Sequence, residues 1–460
     1  MLDVKTVESP GWWINRLSKQ LTEARPGYQL LDDYYTCQNV VPAMATKTIR
    51  EAYRRLMRMS RTNFAELVVE ALRERVDPNG FRTGASDDVL GDKIAWSYWQ
   101  GNSLDADFSL VTSACFSMGV SYMMVGDVDP ELGVPLITPE DPRQMITEQD
   151  PVRRRKAIAA LKLFCDDDSE VAYLYLPGEV LKFRRSKTSQ NVEDFELDAD
   201  PIDLGVDIVP VVRFACRPDM FGHGRGEFEP HLGILDRINY QILNRLEIGT
   251  LQAFKQRAIK GVPDEDRQGN KIDYDDIFAS DPGAMWVLPA TADVWESGAV
   301  DLGPVRLAIR DDVTDLAAVT RTPLFYLSPD AANGSAEGAS LAREGLIFKA
   351  HDRLRQLGES VEQTMSYAFL MAGDEQRASR PGMEVLWAPP ERFTLAERYD
   401  AASKAQAAGV PWRTVMRSVL QFSPQEIESM EAERAADTLL APAFPTAPAF
   451  ASAPANAPAR

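Results

Sequence analysis

The chain has 460 residues, a length that allows two or three domains, and 45% hydrophobic residues, enough for a sizeable core. Its net charge of −19 excludes a protein that grips nucleic acid over its surface, because such binding replaces counterions with lysine and arginine; a channel past which DNA slides stays compatible. No run approaches the roughly 20 uncharged apolar residues of a membrane span, and the start, MLDVKTVESPGWW, lacks a secretory signal's apolar region, so a cytoplasmic protein is expected.

Over residues 12–35, Trp13, Leu17 and Leu21 recur at helical spacing. Residues 47–76 read as two helices interrupted near Ser60 to Asn63, the first carrying Arg50, Arg54, Arg55, Arg58 and Arg61 as a solvated face. Another helix is expected over 104–118. Short β-rich runs from VSYMMVGD to VPVVRFA, separated by Pro, Gly and Asp turns, then predict a mixed α+β domain with an antiparallel sheet. The basic run at 153–156 reads as a charged hairpin or helix end. Gly222, Gly224 and Gly226 lack dinucleotide-fingerprint spacing and read as a flexible hinge into the next helix.

From Glu227 to Lys260 the apolar positions Phe228, Leu232, Leu235, Ile238, Ile242, Leu246 and Ala253 predict one helix, about 50 Å long at 1.5 Å per residue. Gly261 and Pro263 end it. Residues 261–303 form an insert with ten acidic side chains against Arg267 and Lys271. Asp264, Asp266, Gln268, Gly269 and Asp275 fall near EF-hand ligand positions, but Gln268, Lys271 and Asp275 are the wrong residue types for that loop, so an acidic surface loop is the reading. A second helix runs from Pro304 to Thr322 and Pro323 stops it. Residues 323–340, rich in Pro, Gly and small polar residues, hold no regular element. A third helix follows from Leu341 to Met371, with His351 on its apolar stripe as a core histidine. Residues 391–437 read as a small helical unit whose last helix has a capping box of Ser423, Pro424 and Glu426. The Ala/Pro tail at 441–460 is expected to be disordered.

The four cysteines form no CxxC pair and are expected to be buried as small hydrophobes. His223 and His231 lie eight apart, outside metal-site spacing, and HExxH, GxSxG and phosphate-loop motifs are absent. No catalytic residue, metal ligand or cofactor is therefore expected. A helix over 227–260 cannot bury its stripe against the shorter helix after it, and a ring of identical copies would supply the missing neighbours.

The order of long helix, acidic insert, shorter helix, Gly/Ser loop, long helix and helical unit resembles the portal proteins of long-tailed phages, particularly those of actinobacterial hosts. LLDDYYT near 30–36, NFAELVVEALRERV at 63–76, VPVVRF at 209–214 and FTLAERYDAASKAQAAGVP near the C-terminus are similar to that family. The resemblance implies an α+β portal fold: an α/β wing (1–226), a two-helix stem (227–260 and 304–322), a small α/β clip (261–303), a tunnel loop (323–340), a long tunnel-wall helix returning to the wing (341–390), a helical crown (391–440) and the tail. It implies that Asp330, Asn333, Gly334, Ser335 and Glu337 face DNA, and that Asp264, Glu265, Asp266, Trp286 and Trp295 serve docking. The implied function is a non-enzymatic conduit for genome packaging and ejection at one vertex of the virion, assembled in the host cytoplasm. Its implied partners are further copies in a dodecameric ring, the terminase large subunit, a head–tail connector, the major capsid and scaffold proteins, and double-stranded DNA that passes without tight binding; no membrane is involved. A capsid or scaffold protein without a channel, and a nucleotide-dependent enzyme supported only by the glycines at 222–226, remain as alternatives.

Overall fold

The computed structural model describes residues 2–38, 51–85, 91–189, 191–253, 257–261, 268, 293–296, 298, 300–328, 336–391 and 394–440. The first helix, α1 (Pro10–Tyr35), starts where Ser9 Oγ accepts the Trp12 N–H at 3.2 Å and Pro10 occupies the first turn. After α2 (Glu51–Met59) the chain breaks at the expected place, and Asn63 caps α3 (Phe64–Arg73). Strand β1 (Pro78–Arg82) leads to α4 (Lys93–Gly101), capped by Asp92, and to α5 (Leu104–Met118). Neither β1 nor α4 is among the elements expected from the sequence.

Strands β2 (Val120–Val128), β3 (Pro135–Glu140), β4 (Met145–Gln149), β5 (Ala157–Cys165), β6 (Ser169–Leu176), β7 (Glu179–Ser186), β8 (Glu196–Leu197), β9 (Ile202–Asp203) and β10 (Val211–Ala215) follow. They form two antiparallel sheets, one ordered β10-β2-β3 and one ordered β4-β5-β6-β7-β8 with β9 on β7. Period-two alternation decides which layer each residue enters. On β6, Ala172, Leu174 and Leu176 face the α1 residues Trp13, Ile14, Leu17 and Leu21. The intervening Tyr173 and Tyr175 join Val120, Tyr122 and Val211 between the two sheets. On β2, Met123 and Val125 face the main core with α5. The small sheet is thus covered on both faces.

The second half of the chain is mainly helical. It holds α6 (Leu232–Ala253), the strands β11 (Arg257–Lys260) and β12 (Asp293–Glu296), α7 (Gly303–Thr320), the single turn α8 (Leu324–Leu327) and α9 (Ala336–Met371). Then come α10 (Glu375–Ala378), β13 (Glu384–Trp387), which pairs with β1, and α11 (Leu395–Ala407), α12 (Trp412–Ser418) and α13 (Pro424–Leu440). At α13 the Ser423 N–H donates to Glu426 and the Glu426 N–H to Ser423 Oγ, closing the expected box. Among the described residues no helix is long and apolar enough to cross a membrane.

Three expectations are corrected. The helix over 227–260 is shorter: Pro230 lies in a 3-10 turn at Glu229–His231, α6 spans 22 residues, and Arg257–Lys260 is extended and paired with β12. At 1.5 Å per residue α6 is about 33 Å long. The segment 323–340 is not wholly irregular, since it contains α8 and the first turn of α9; Pro323 precedes α8 as its N-cap. Of the cysteines, Cys115 and Cys216 are buried, Cys37 is partly covered and Cys165 is exposed at the end of β5.

Candidate functional site: a helix pair seated on a buried ionic joint

Helices α6 and α7 pack side by side. Leu235, Ile238 and Ile242 of α6 and Val313, Leu316 and Ala317 of α7 enter the main core. Their polar seam is specific: Arg237 reaches Asp312 at 2.6 Å and Asp315 at 3.6 Å, and Gln241 donates to Asp312 at 2.8 Å. At the far end of the pair, β11 and β12 run antiparallel, with Lys260 opposite Asp293 and Ala258 opposite Trp295. The two ends of the acidic insert are thereby brought together at one two-stranded base.

At the near end the pair is tied to the sheets by a buried ionic joint. Its position follows from the glycines at 222–226. A Cβ on Gly224 would meet the Gly119 carbonyl oxygen at 1.9 Å, and one on Gly226 the Ser117 oxygen at 2.2 Å. Lacking side chains, these residues lie directly on the C-terminus of α5, where helix carbonyls lack internal partners. The Glu227 N–H donates to Phe116 O at 2.7 Å, and Arg225 N–H to Cys216 O at 2.8 Å. The expected hinge is therefore a tightly packed strap, fixed by backbone-to-backbone contact.

The strap delivers Glu227 into the core at 2% exposure, against Lys349 and Arg353 of α9. Lys349 Nζ lies 2.8 Å from one carboxylate oxygen, Arg353 Nε lies 2.6 Å from the other, and the Cys216 thiol donates at 3.2 Å. Lys349 also donates to Thr320 O at 3.0 Å, the last residue of α7. Burial alone would raise the Glu227 pKa, but the two cations outweigh it and hold it near 2. Burial pushes Lys349 down, against the attraction of Glu227. It pushes the Cys216 thiol up, and the nearby carboxylate adds to that. One carboxylate thus joins the strap, β10, α7 and α9.

Most of the residues singled out from the sequence lie outside the described residues. Asp330, Asn333, Gly334 and Ser335, and likewise Asp264, Glu265, Asp266 and Trp286, lie outside the described residues. Glu337 falls in the first turn of α9, and Trp295 falls in β12. The calcium-like spacing from Asp264 to Asp275 also falls outside, apart from Gln268. His351 is no core histidine: its side chain is 41% exposed and its Nε2 meets Glu391 at 2.7 Å. The sequence did carry an unused signal for the joint. Lys349 and Arg353 interrupt the buried series Leu346, Ala350, Leu354 and Leu357, and charges inside an apolar stripe call for a buried counter-ion.

A family model described as "Phage portal protein, SPP1 Gp6-like" matches residues 14–438 of this chain. The portal protein of Mycobacterium phage D29 is 29% identical over 390 residues, covering 81% of this chain and 78% of that protein. That of Mycobacterium phage L5 is 28% identical over 415 residues, covering 86% and 82%. Among solved structures, the neck of an empty GTA particle computed with C6 symmetry matches with TM-score 0.46 and 14% identity, over 83% of this chain and 96% of that one. The neck of a native GTA particle computed with C12 symmetry gives 0.45 and 14%, over the same shares.

Proposed function

The chain belongs to the SPP1 Gp6-like family of phage portal proteins, and from that membership we propose how its parts serve a portal ring at one capsid vertex. About twelve copies close into the ring by heterologous contacts. Helices α6 and α7 form the stem of the channel, the segment rooted on β11 and β12 forms the clip, and α1 to β10 with β13 form the wing. Residues 323–340, which include α8 and the first turn of α9, form the tunnel loop, with Asp330, Asn333, Gly334, Ser335 and Glu337 as its DNA-facing residues. Helices α11 to α13 form the crown.

In this reading the clip, through Asp264, Glu265, Asp266, Trp286 and Trp295, receives the terminase during packaging and the head–tail connector afterwards. ATP hydrolysis belongs to the terminase, and this chain is a structural conduit assembled in the host cytoplasm with the major capsid and scaffold proteins. DNA passes without tight binding, as the acidic balance of the chain favours.

The observation that carries the reading is the family match from residue 14 to 438. The helices add a physical reason for a ring. Leu307, Val319 and Phe348, on α7 and α9, are 60%, 47% and 67% exposed, so one copy leaves apolar surface uncovered around the helix pair. Sedimentation of the purified chain at micromolar concentration tests it. A closed species of about twelve copies is expected, and a stable monomer contradicts the proposal.

A further inference from the structure

Resting on the ring reading, we infer that neighbouring subunits meet through the two charged flanks of α7, Arg306 and Arg310 of one copy facing Asp311 and Asp315 of the next. Both arginines are exposed, and neither has a carboxylate partner among the described residues. They border a cleft of about 460 Å³ between α6, α7 and α8, lined also by Arg245, Leu307, Leu324 and Leu327, with no acidic residue in its lining. Three arginines and several apolar side chains line the cleft, which fits an acidic partner with some apolar surface. A second copy of this acidic chain offers both, since Leu307 stands exposed between the two flanks.

The opposite flank is acidic. Asp311 is exposed with no cation beside it among the described residues, and Asp315 is 67% exposed although Arg237 lies 3.6 Å away. At about 100° per residue the centres of the two flanks lie about 140° apart around the helix. In a ring of about twelve, each subunit sees its two neighbours about 150° apart. A stem helix running along the ring axis would therefore turn one flank to each side. Height agrees for one pair, while Arg306 and Asp315 each stand about 7.5 Å off the level of the nearer group on the opposite flank. Rotation about the ring axis keeps every residue at its own level, and Arg310 and Asp311 are consecutive, about 1.5 Å apart along the helix. Complementary groups at one height on opposite flanks are what a closing heterologous contact needs.

The test uses two full-length variants, Arg306→Glu/Arg310→Glu and Asp311→Lys. Each alone sets like charges against each other at every interface, so its concentration for half-assembly should rise about tenfold or more. Mixed in equal amounts, the two should form rings of alternating subunits, because each then presents opposite charge to its neighbour. The chain carrying all three substitutions should assemble by itself, and salt near 1 M should shrink all these differences. Either variant assembling alone as readily as the wild type would overturn the inference. So would a mixture, or a triple variant, that assembles no better than the separate variants. A wild-type chain that stays monomeric would instead sink the ring reading on which the inference rests.

Discussion

Glu227 shows how one buried residue decides whether the joint holds. Among the described residues it is the one anion that pairs with both Lys349 and Arg353 inside the core, at 2.8 and 2.6 Å. Glu227→Gln keeps the shape and removes the charge, leaving Lys349 buried without a carboxylate partner and Arg353 with only the exposed Asp352. Breaking a buried pair this way costs about 3–5 kcal/mol, so the urea midpoint should fall markedly; a change under about 1 kcal/mol would contradict the account. The pH dependence has a definite sign. The folded-state pKa of Glu227 lies at about 2, against an ordinary value of 4.5. Its contribution is therefore complete above pH 4.5 and is lost as pH falls toward 2, amounting to about 3 kcal/mol. Glu227→Gln lacks this contribution, so its acid unfolding curve should be shallower in that window. Superposable acid profiles of the two proteins would refute it.

At the scale of elements, legibility tracked local chemistry. The break at Ser60 to Asn63, the start of α7 at Pro304 and the Ser423 box were readable because caps and prolines act within a few residues. The start of α6 was not. Phe228 continues the apolar stripe and is fully buried, yet the backbone there is committed to the C-terminus of α5 by the Glu227 N–H bond to Phe116 O. That is a tertiary contact invisible to periodicity. The same contact turned an expected hinge into a strap, because GHGRG spells backbone proximity as readily as flexibility. The proposed site residues come from the family resemblance alone, and a resemblance does not report which side chains converge. The strap can be tested against a glycine needed for another reason. Gly224→Ala should destabilise by about 2–3 kcal/mol through overpacking on the Gly119 carbonyl. Gly133 has φ +67 and open space around it, so Gly133→Ala should cost only about 1 kcal/mol for its left-handed backbone. Equal thermal shifts in the two variants would restore the hinge.

At the scale of the whole molecule, charge is distributed unevenly. Residues 261–303 hold ten acidic side chains against two basic ones, in a chain whose net charge is −19. The pairing of Lys260 with Asp293 brings the strands that flank most of this segment together at one base. Repeated around the proposed ring of about twelve copies, it would make a dense negative collar, and charges closer than about 8–10 Å are poorly screened at physiological salt. Such a collar repels itself, and a partner with a Lys- or Arg-rich surface relieves that repulsion on docking. Electrostatic complementarity of this kind acts mainly on association rate and specificity. Replacing Asp264, Glu265 and Asp266 together by lysine should therefore slow terminase association, by about tenfold or more at low salt and less as salt rises, while the ring still forms. Stopped-flow mixing of preformed rings with terminase across a salt series measures it. If the rate and its salt dependence were both unchanged, docking would have to rest on apolar contacts around Trp286 and Trp295 instead of on the charge of the collar.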